Sequence, residues 1–153
     1  MNTLLDAFLH FTLAEAAMLN ELNHELEKAA VKVEKTAKAK LGHYQEASGT
    51  FNAWAELADS TKKERVAQGY TENDPLLRSG KLKDSITHET NHLEAIIGTN
   101  SDYAVDMEAG SKKIQPRPFL APALFENVET IKEIVGGATM GVMLGKRRFK
   151  VSV

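Results

Sequence analysis

Three groups of residues have the types and spacing to do chemistry. The first, His88-Glu89-Thr90-Asn91-His92, matches H-E-x-x-H, in which one helix face carries two imidazole zinc ligands with a glutamate base beside them. That chemistry needs the helical period, and the flanking residues favour another one. Thr87 and Thr90 suit a strand, and Asn91-His92 suits the turn of a hairpin. A third ligand would have to come from Glu108, Asp102 or farther away. A zinc hydrolase using His88, Glu89 and His92 is therefore the minor reading, and an exposed strand and turn the main one. The second group is Arg117 between Pro116 and Pro118, a guanidinium on a rigid extended backbone suited to a bidentate carboxylate contact. Its other reading, of equal weight, is an ordinary solvated arginine. Phe119 and Leu120, next in the chain, read as core. The third is Lys146-Arg147-Arg148-Phe149-Lys150, a basic cluster with one aromatic. It reads first as a solvated tail, and otherwise as a small DNA-binding module gripping phosphates.

Other chemistry lacks its residues. There is no cysteine, hence no disulfide, thiolate metal site or thiol nucleophile. No glycine-rich phosphate loop, serine nucleophile elbow or clustered carboxylate pair occurs. The reading assigns no catalytic, cofactor-binding or metal-binding residue, no cofactor and no small-molecule substrate. It expects a protein that is not an enzyme.

The elements that would position these groups follow from patterning. The 153 residues carry 26% charged and 42% hydrophobic side chains, ordinary globular composition sized for one domain. A net charge of −2 provides no global basic footprint for nucleic acid. No apolar run reaches the roughly 20 residues that span a bilayer, and no basic stretch opens the chain as in a secretory leader. No membrane association is expected.

From Thr3 to about Leu41 apolar residues recur at helical spacing without Gly or Pro, predicting one long helix or two with a bend near Thr12. Every charged residue from Asp6 to Glu27 is acidic, while lysines dominate from Lys28 to Lys40, which complements the helix dipole. So long a stripe is also a surface for a partner. Gly42 to Asn52 reads as a loop. Thr61 with Glu64 has capping-box spacing and predicts a short helix to about Ala67. Ser79 is placed to cap another helical turn, with Leu76 and Leu77 anchoring the turn before it. Ser85–Thr90 and Leu93–Thr99 predict a hairpin turning at Asn91-His92. Ser101–Ala109 reads as a short helix stopped by Gly110. The prolines force 112–120 to be extended, and Leu124, Val128, Ile131 and Val135 predict a last helix over 121–135. Trp54 reads as a core anchor. Gly137, Gly141 and Gly145 suggest a flexible or exchanged arm. The expected fold is α+β: a long N-terminal amphipathic helix (1–41) packed with an α+β core (42–135) in a single domain, shorter helices lying on a small antiparallel sheet, and a Gly-rich basic tail (136–153).

Five segments in order carry a resemblance. The central one, Asn73 to Ile86, contains Asp-Pro-Leu-Leu-Arg-Ser-Gly-Lys-Leu. Trp54-Ala55-Glu56-Leu57-Ala58 with Ser60-Thr61 precedes it. Ile97-Gly98-Thr99 with Tyr103-Ala104, then Glu108-Ala109-Gly110, then Pro116-Arg117-Pro118-Phe119-Leu120 follow. In this order the set resembles the tailed-phage virion-morphogenesis family, the tail-completion or neck proteins of long-tailed bacteriophages. The resemblance covers Val33 to Val135, and departs from the family pattern at Ala109, where an aromatic residue is common. It implies a virion structural protein of the neck or tail, made in the bacterial cytoplasm, that joins the tail to the head or finishes it. The implied partners are further copies of itself in a ring, other neck and tail proteins, and non-specific contact with genome DNA. Arg117, Pro116, Pro118, Phe119, Glu108, Lys146, Arg147 and Arg148 are the assembly candidates under this reading. It implies for Arg117 a fixed role in an ion pair with Glu108 or an acidic group on a neighbouring subunit, so that its charge reversal is expected to spare the fold and impair assembly.

Overall fold

The computed structural model describes the backbone of residues 4–143 and the side chains of 15–137. Element order is α1 (Leu4–Lys40), α2 (Asp59–Ala67), α3 (Lys81–Ser85), β1 (Ile86–Asn91), β2 (Glu94–Thr99), α4 (Ala104–Ala109) and α5 (Leu120–Met143). β1 and β2 form a two-stranded antiparallel sheet, so the expected α+β class holds, with its long N-terminal helix. The chain divides into two compact units. Among the described residues the first draws on 4–30, Glu89–Ile96 and 128–143, the second on Val31–His88 and Ile97–Asn127.

α1 is continuous through Thr12, the single-helix alternative. In the second unit its inward stripe is Val33 and Ala37, continued by Leu41 just past its end, each at most 2% exposed. These residues share the unit's core with Trp54, Pro75, Leu82, Ile86, Ala104, Phe119 and Ala123. At α5 the buried row is Ala123 and Asn127, in line with Phe119 just before the helix, and not the row through Leu124 expected from hydropathy. Leu124 and Phe125 face outward at 49% and 54% exposure, and Phe125 meets the edge of Phe51 with 6.0 Å between centroids. Asn127 belongs to the buried row because its amide is satisfied, donating to Thr36 Oγ1 (3.0 Å) and the Ala123 carbonyl (2.8 Å). α5 also runs on past the expected end at Val135, through Gly136 and Gly137 to Met143.

In the first unit the hairpin tip is tied to α1. The Leu93 N–H donates to Asn23 Oδ1 at 2.8 Å, and Thr90 hydrogen-bonds Glu27. The turn falls on His92-Leu93, one residue later than predicted. Both residues have positive φ (44° and 68°), the backbone of a primed two-residue turn matched to strand twist. Asn91 therefore lies in the strand.

Two helix starts also differ from expectation. α2 begins at Asp59 with no side-chain cap, because Thr61 and Glu64 already lie inside it, and Glu64 is engaged by Arg78 (3.1 Å) and Gln68 (3.1 Å) instead. α3 is preceded by Gly80 in the left-handed region (φ 82°), not capped by Ser79. The turn before it is anchored by Pro75, which is fully buried and accepts the Gly42 N–H at 2.8 Å. Leu76, strained at φ 58°, and Leu77 are only half-buried.

Candidate functional site

The polar framework of the second unit starts at Gly110, whose φ of 76° and ψ of 168° lie in a region essentially open only to glycine. A Cβ there would stand 2.9 Å from Pro116 Cδ and 3.1 Å from the Ile114 carbonyl oxygen. The tight return lets Ser111 and Ile114 exchange backbone hydrogen bonds and brings the Arg117 N–H to the Met107 carbonyl at 2.6 Å. The segment 115–119 is neither helix nor strand. Residues 112–114 bend and Leu120 already opens α5, so the extended run expected over 112–120 is not formed at either end. Arg117 and Phe119 then point inward while Pro116 stays exposed.

Arg117 does not pair with Glu108. Its side chain is buried, and Nη2 donates to the carbonyls of Ala55 (2.8 Å) and Glu56 (3.3 Å), with Nε at 3.3 Å from the former. Trp54 Nε1, from the same segment, donates to the Pro118 carbonyl at 3.2 Å. The two segments thus clasp each other, and Trp54 is the core anchor expected. Arg117 and Phe119, read as assembly residues from the sequence, are engaged inside their own protomer. The reason is that the segment lies against the 54–56 loop, whose unpaired carbonyls take the guanidinium fork.

Glu108 has a different task. Its carboxylate accepts the N–H groups of Phe119 (2.8 Å), Leu120 (3.1 Å) and Ala121 (2.8 Å). The next residue, Pro122, has no N–H, and Ala123 bonds back to the Phe119 carbonyl at 3.4 Å. Every donor in the first turn of α5 is therefore accounted for. The anion also sits at the positive end of a 24-residue helix.

Arg65 repeats the Arg117 arrangement on the 71–77 loop. It is 4% exposed, and donates through Nε to the Thr71 carbonyl (2.8 Å) and through Nη2 to those of Asp74 (3.0 Å) and Leu77 (2.9 Å). Both arginines line one cleft of about 600 Å³, together with Arg78, Lys81 and Lys113. Its wall is apolar, from Leu57, Leu76, Leu82, Tyr103, Met107 and Ile114. The single carboxylate in the lining, Glu56, is 3.2 Å from Lys62. Arg78 pairs with Glu64 and lies 5.1 Å over the ring of Tyr70. A cleft of this size with an apolar wall and a cationic rim suits an acidic, partly apolar group.

The H-E-x-x-H residues lie on β1 and its turn, not on a helix. His88 is half-buried and hydrogen-bonds Glu34 of α1, Glu89 is exposed, and His92 belongs to the turn. Strand rise separates residues four apart by roughly 13 Å, where a helix would bring them to one face. Among the described residues no three His, Asp or Glu side chains gather as a metal site. Glu34 also accepts from Lys38 at 2.5 Å, and these two hydrogen bonds, Lys38 first, hold its pKa below the usual 4.5. Lys146, Arg147 and Arg148 lie outside the described residues.

Set against protein-family models, curated proteins and solved structures, the chain matches none of the three. Among the described residues no helix is long and apolar enough to cross a membrane.

Sequence reading missed Arg65 and the cleft. Arg65 sits in an ordinary polar helix, and its role appears only when the 71–77 loop folds its carbonyls onto it. The adjoining Arg78-Ser-Gly-Lys81 stretch was the legible signal.

Proposed function

We propose that this protein is a structural component of a tailed-phage virion, acting at the neck or in tail completion by assembling into a ring with itself. The mechanism is assembly: apolar faces bury against neighbouring subunits and charged rims meet the rings above and below. The ordered segment set carries the reading. One structural observation supports it. The separated segments Trp54–Ala58, Glu108–Gly110 and Pro116–Leu120 meet in a single clasp, through Arg117 on the 55–56 carbonyls, Trp54 on Pro118 and Glu108 on the start of α5. A co-occurring set of short motifs is what such a clasp requires of a sequence, because each piece exists to hold another. The same geometry accounts for these residues without any reacting atom.

The test is a phage lysate made without this protein. Full heads and unattached tails, with the protein found by mass spectrometry in complete particles, are expected. Infectious, intact particles lacking the polypeptide would overturn the reading. Stoichiometric zinc in purified protein that is lost on His88→Ala would favour the hydrolase instead.

A further inference from the structure

The cleft between the two buried arginines has more cationic capacity than its own chain uses. Through Nε and Nη2, Arg65 and Arg117 meet backbone carbonyls and, for Arg65, the Thr71 hydroxyl at 3.5 Å, while the Nη1 of each bonds no described residue. No buried side-chain nitrogen or oxygen among the described residues lacks a partner, so these Nη1 groups reach solvent, and the space both side chains line is the cleft. Lys81 and Lys113 on its rim are exposed and carry no ion pair. An occupant must supply carboxylates and apolar side chains together.

The chain itself carries such a segment. From Asp6 to Glu27 every charged residue is acidic, interleaved with leucines and alanines. Of the described part, Glu15, Ala16, Leu19 and Asn20 lie on one outward face of α1, with Leu19 39% exposed. We propose that the cleft of one protomer receives the acidic first half of α1 from a second copy of this chain. The contact is head-to-tail, between unlike surfaces, so a pair retains one open cleft on one protomer and one free α1 on the other for further neighbours. Opposite charge at the rim sets the register and the salt dependence, while the apolar wall and Leu19 supply burial. The inference deepens the self-assembly reading above and rests on it for the identity of the partner.

The experiment measures self-association of the full chain by sedimentation velocity at low and high salt. The variants are Lys81→Glu/Lys113→Glu, Asp6→Lys/Glu15→Lys, and all four together. Lys81, Lys113 and Glu15 are exposed, and unchanged thermal melts verify that the fold survives. Oligomers that weaken with salt, at least roughly tenfold weaker association in either pair, and recovery in the fourfold swap are expected. Oligomers indifferent to both pairs would refute the cleft as the interface and leave ring assembly standing. Weakening without recovery in the swap would refute the pairing of these two surfaces. A monomer under every condition would overturn the inference and the self-assembly reading together.

Discussion

Glu108→Ala isolates the interaction on which the second unit most visibly depends. The substitution removes the acceptor of three N–H groups at once. Phe119 is fully buried, so its N–H cannot turn to water, and an orphaned buried donor costs about 1–3 kcal/mol. Leu120 is half-buried and Ala121 exposed, so water replaces most of their loss, and these two together add about 1 kcal/mol, the scale of a lost helix cap. The expected destabilisation is therefore about 2–4 kcal/mol, which for a chain of this size lowers Tm by roughly 4–16 °C. Glu108→Gln keeps one oxygen acceptor but not the charge, and should fall between the variant and the parent. Urea denaturation followed by the fluorescence of Trp54 reads the right place, since its indole bonds the carbonyl of Pro118, next to the cap. A Glu108→Ala protein within about 0.5 kcal/mol of the parent would refute the account, because solvent would then be satisfying amides that the fold closes off.

Arg117→Ala should cost about 2–4 kcal/mol by orphaning the 55–56 carbonyls, with Arg117→Lys intermediate because one ammonium cannot replace Nε and Nη2 together; chemical denaturation measures both, and charge reversal is expected to harm the fold, not spare it. Gly110→Ala should lose at least about 1–3 kcal/mol from the glycine-only backbone region, read as a lower Tm and not rescued by Ser. The depressed Glu34 carboxyl contributes stability that is complete above its ordinary value of 4.5 and is lost as pH falls through its lower folded value. Glu34→Gln should therefore lie below the parent in Tm at about pH 6, and the gap should close towards about pH 3; a gap that does not change with pH would count against the Lys38 and His88 contacts.

What the sequence revealed and what it concealed divide along physical lines. Elements with long-range periodicity were legible: α1 from its uninterrupted apolar stripe, the hairpin from alternation, and the end of α4 from Gly110. Prolines marked where helix is absent at 115–119, but the extended run expected over 112–120 failed at both ends, because the chain bends at 112–114 after Gly110 and Leu120 already opens α5. The buried row of α5 was missed because hydropathy favours Leu124 and Phe125 over the Ala123 and Asn127 that the neighbouring backbone admits. Short helices began where tertiary contacts placed them, so Thr61, Glu64 and Ser79 failed as caps. Arg117 was singled out for the right chemistry and given the wrong partner, because a guanidinium binds a carbonyl pair as readily as a carboxylate, and carbonyls leave no mark in the sequence.

Three polar grips in the second unit, made by Arg65, Arg117 and Glu108, close chiefly on main-chain atoms. A peptide group is present whichever amino acid occupies the position. The side chains at 55, 56, 74, 77, 119, 120 and 121 are thus not fixed by these grips. Chains with this fold can therefore drift widely in text while a few widely spaced letters stay put. Kinship among them is best sought by the spacing of those few anchors, with the residues between them left unscored.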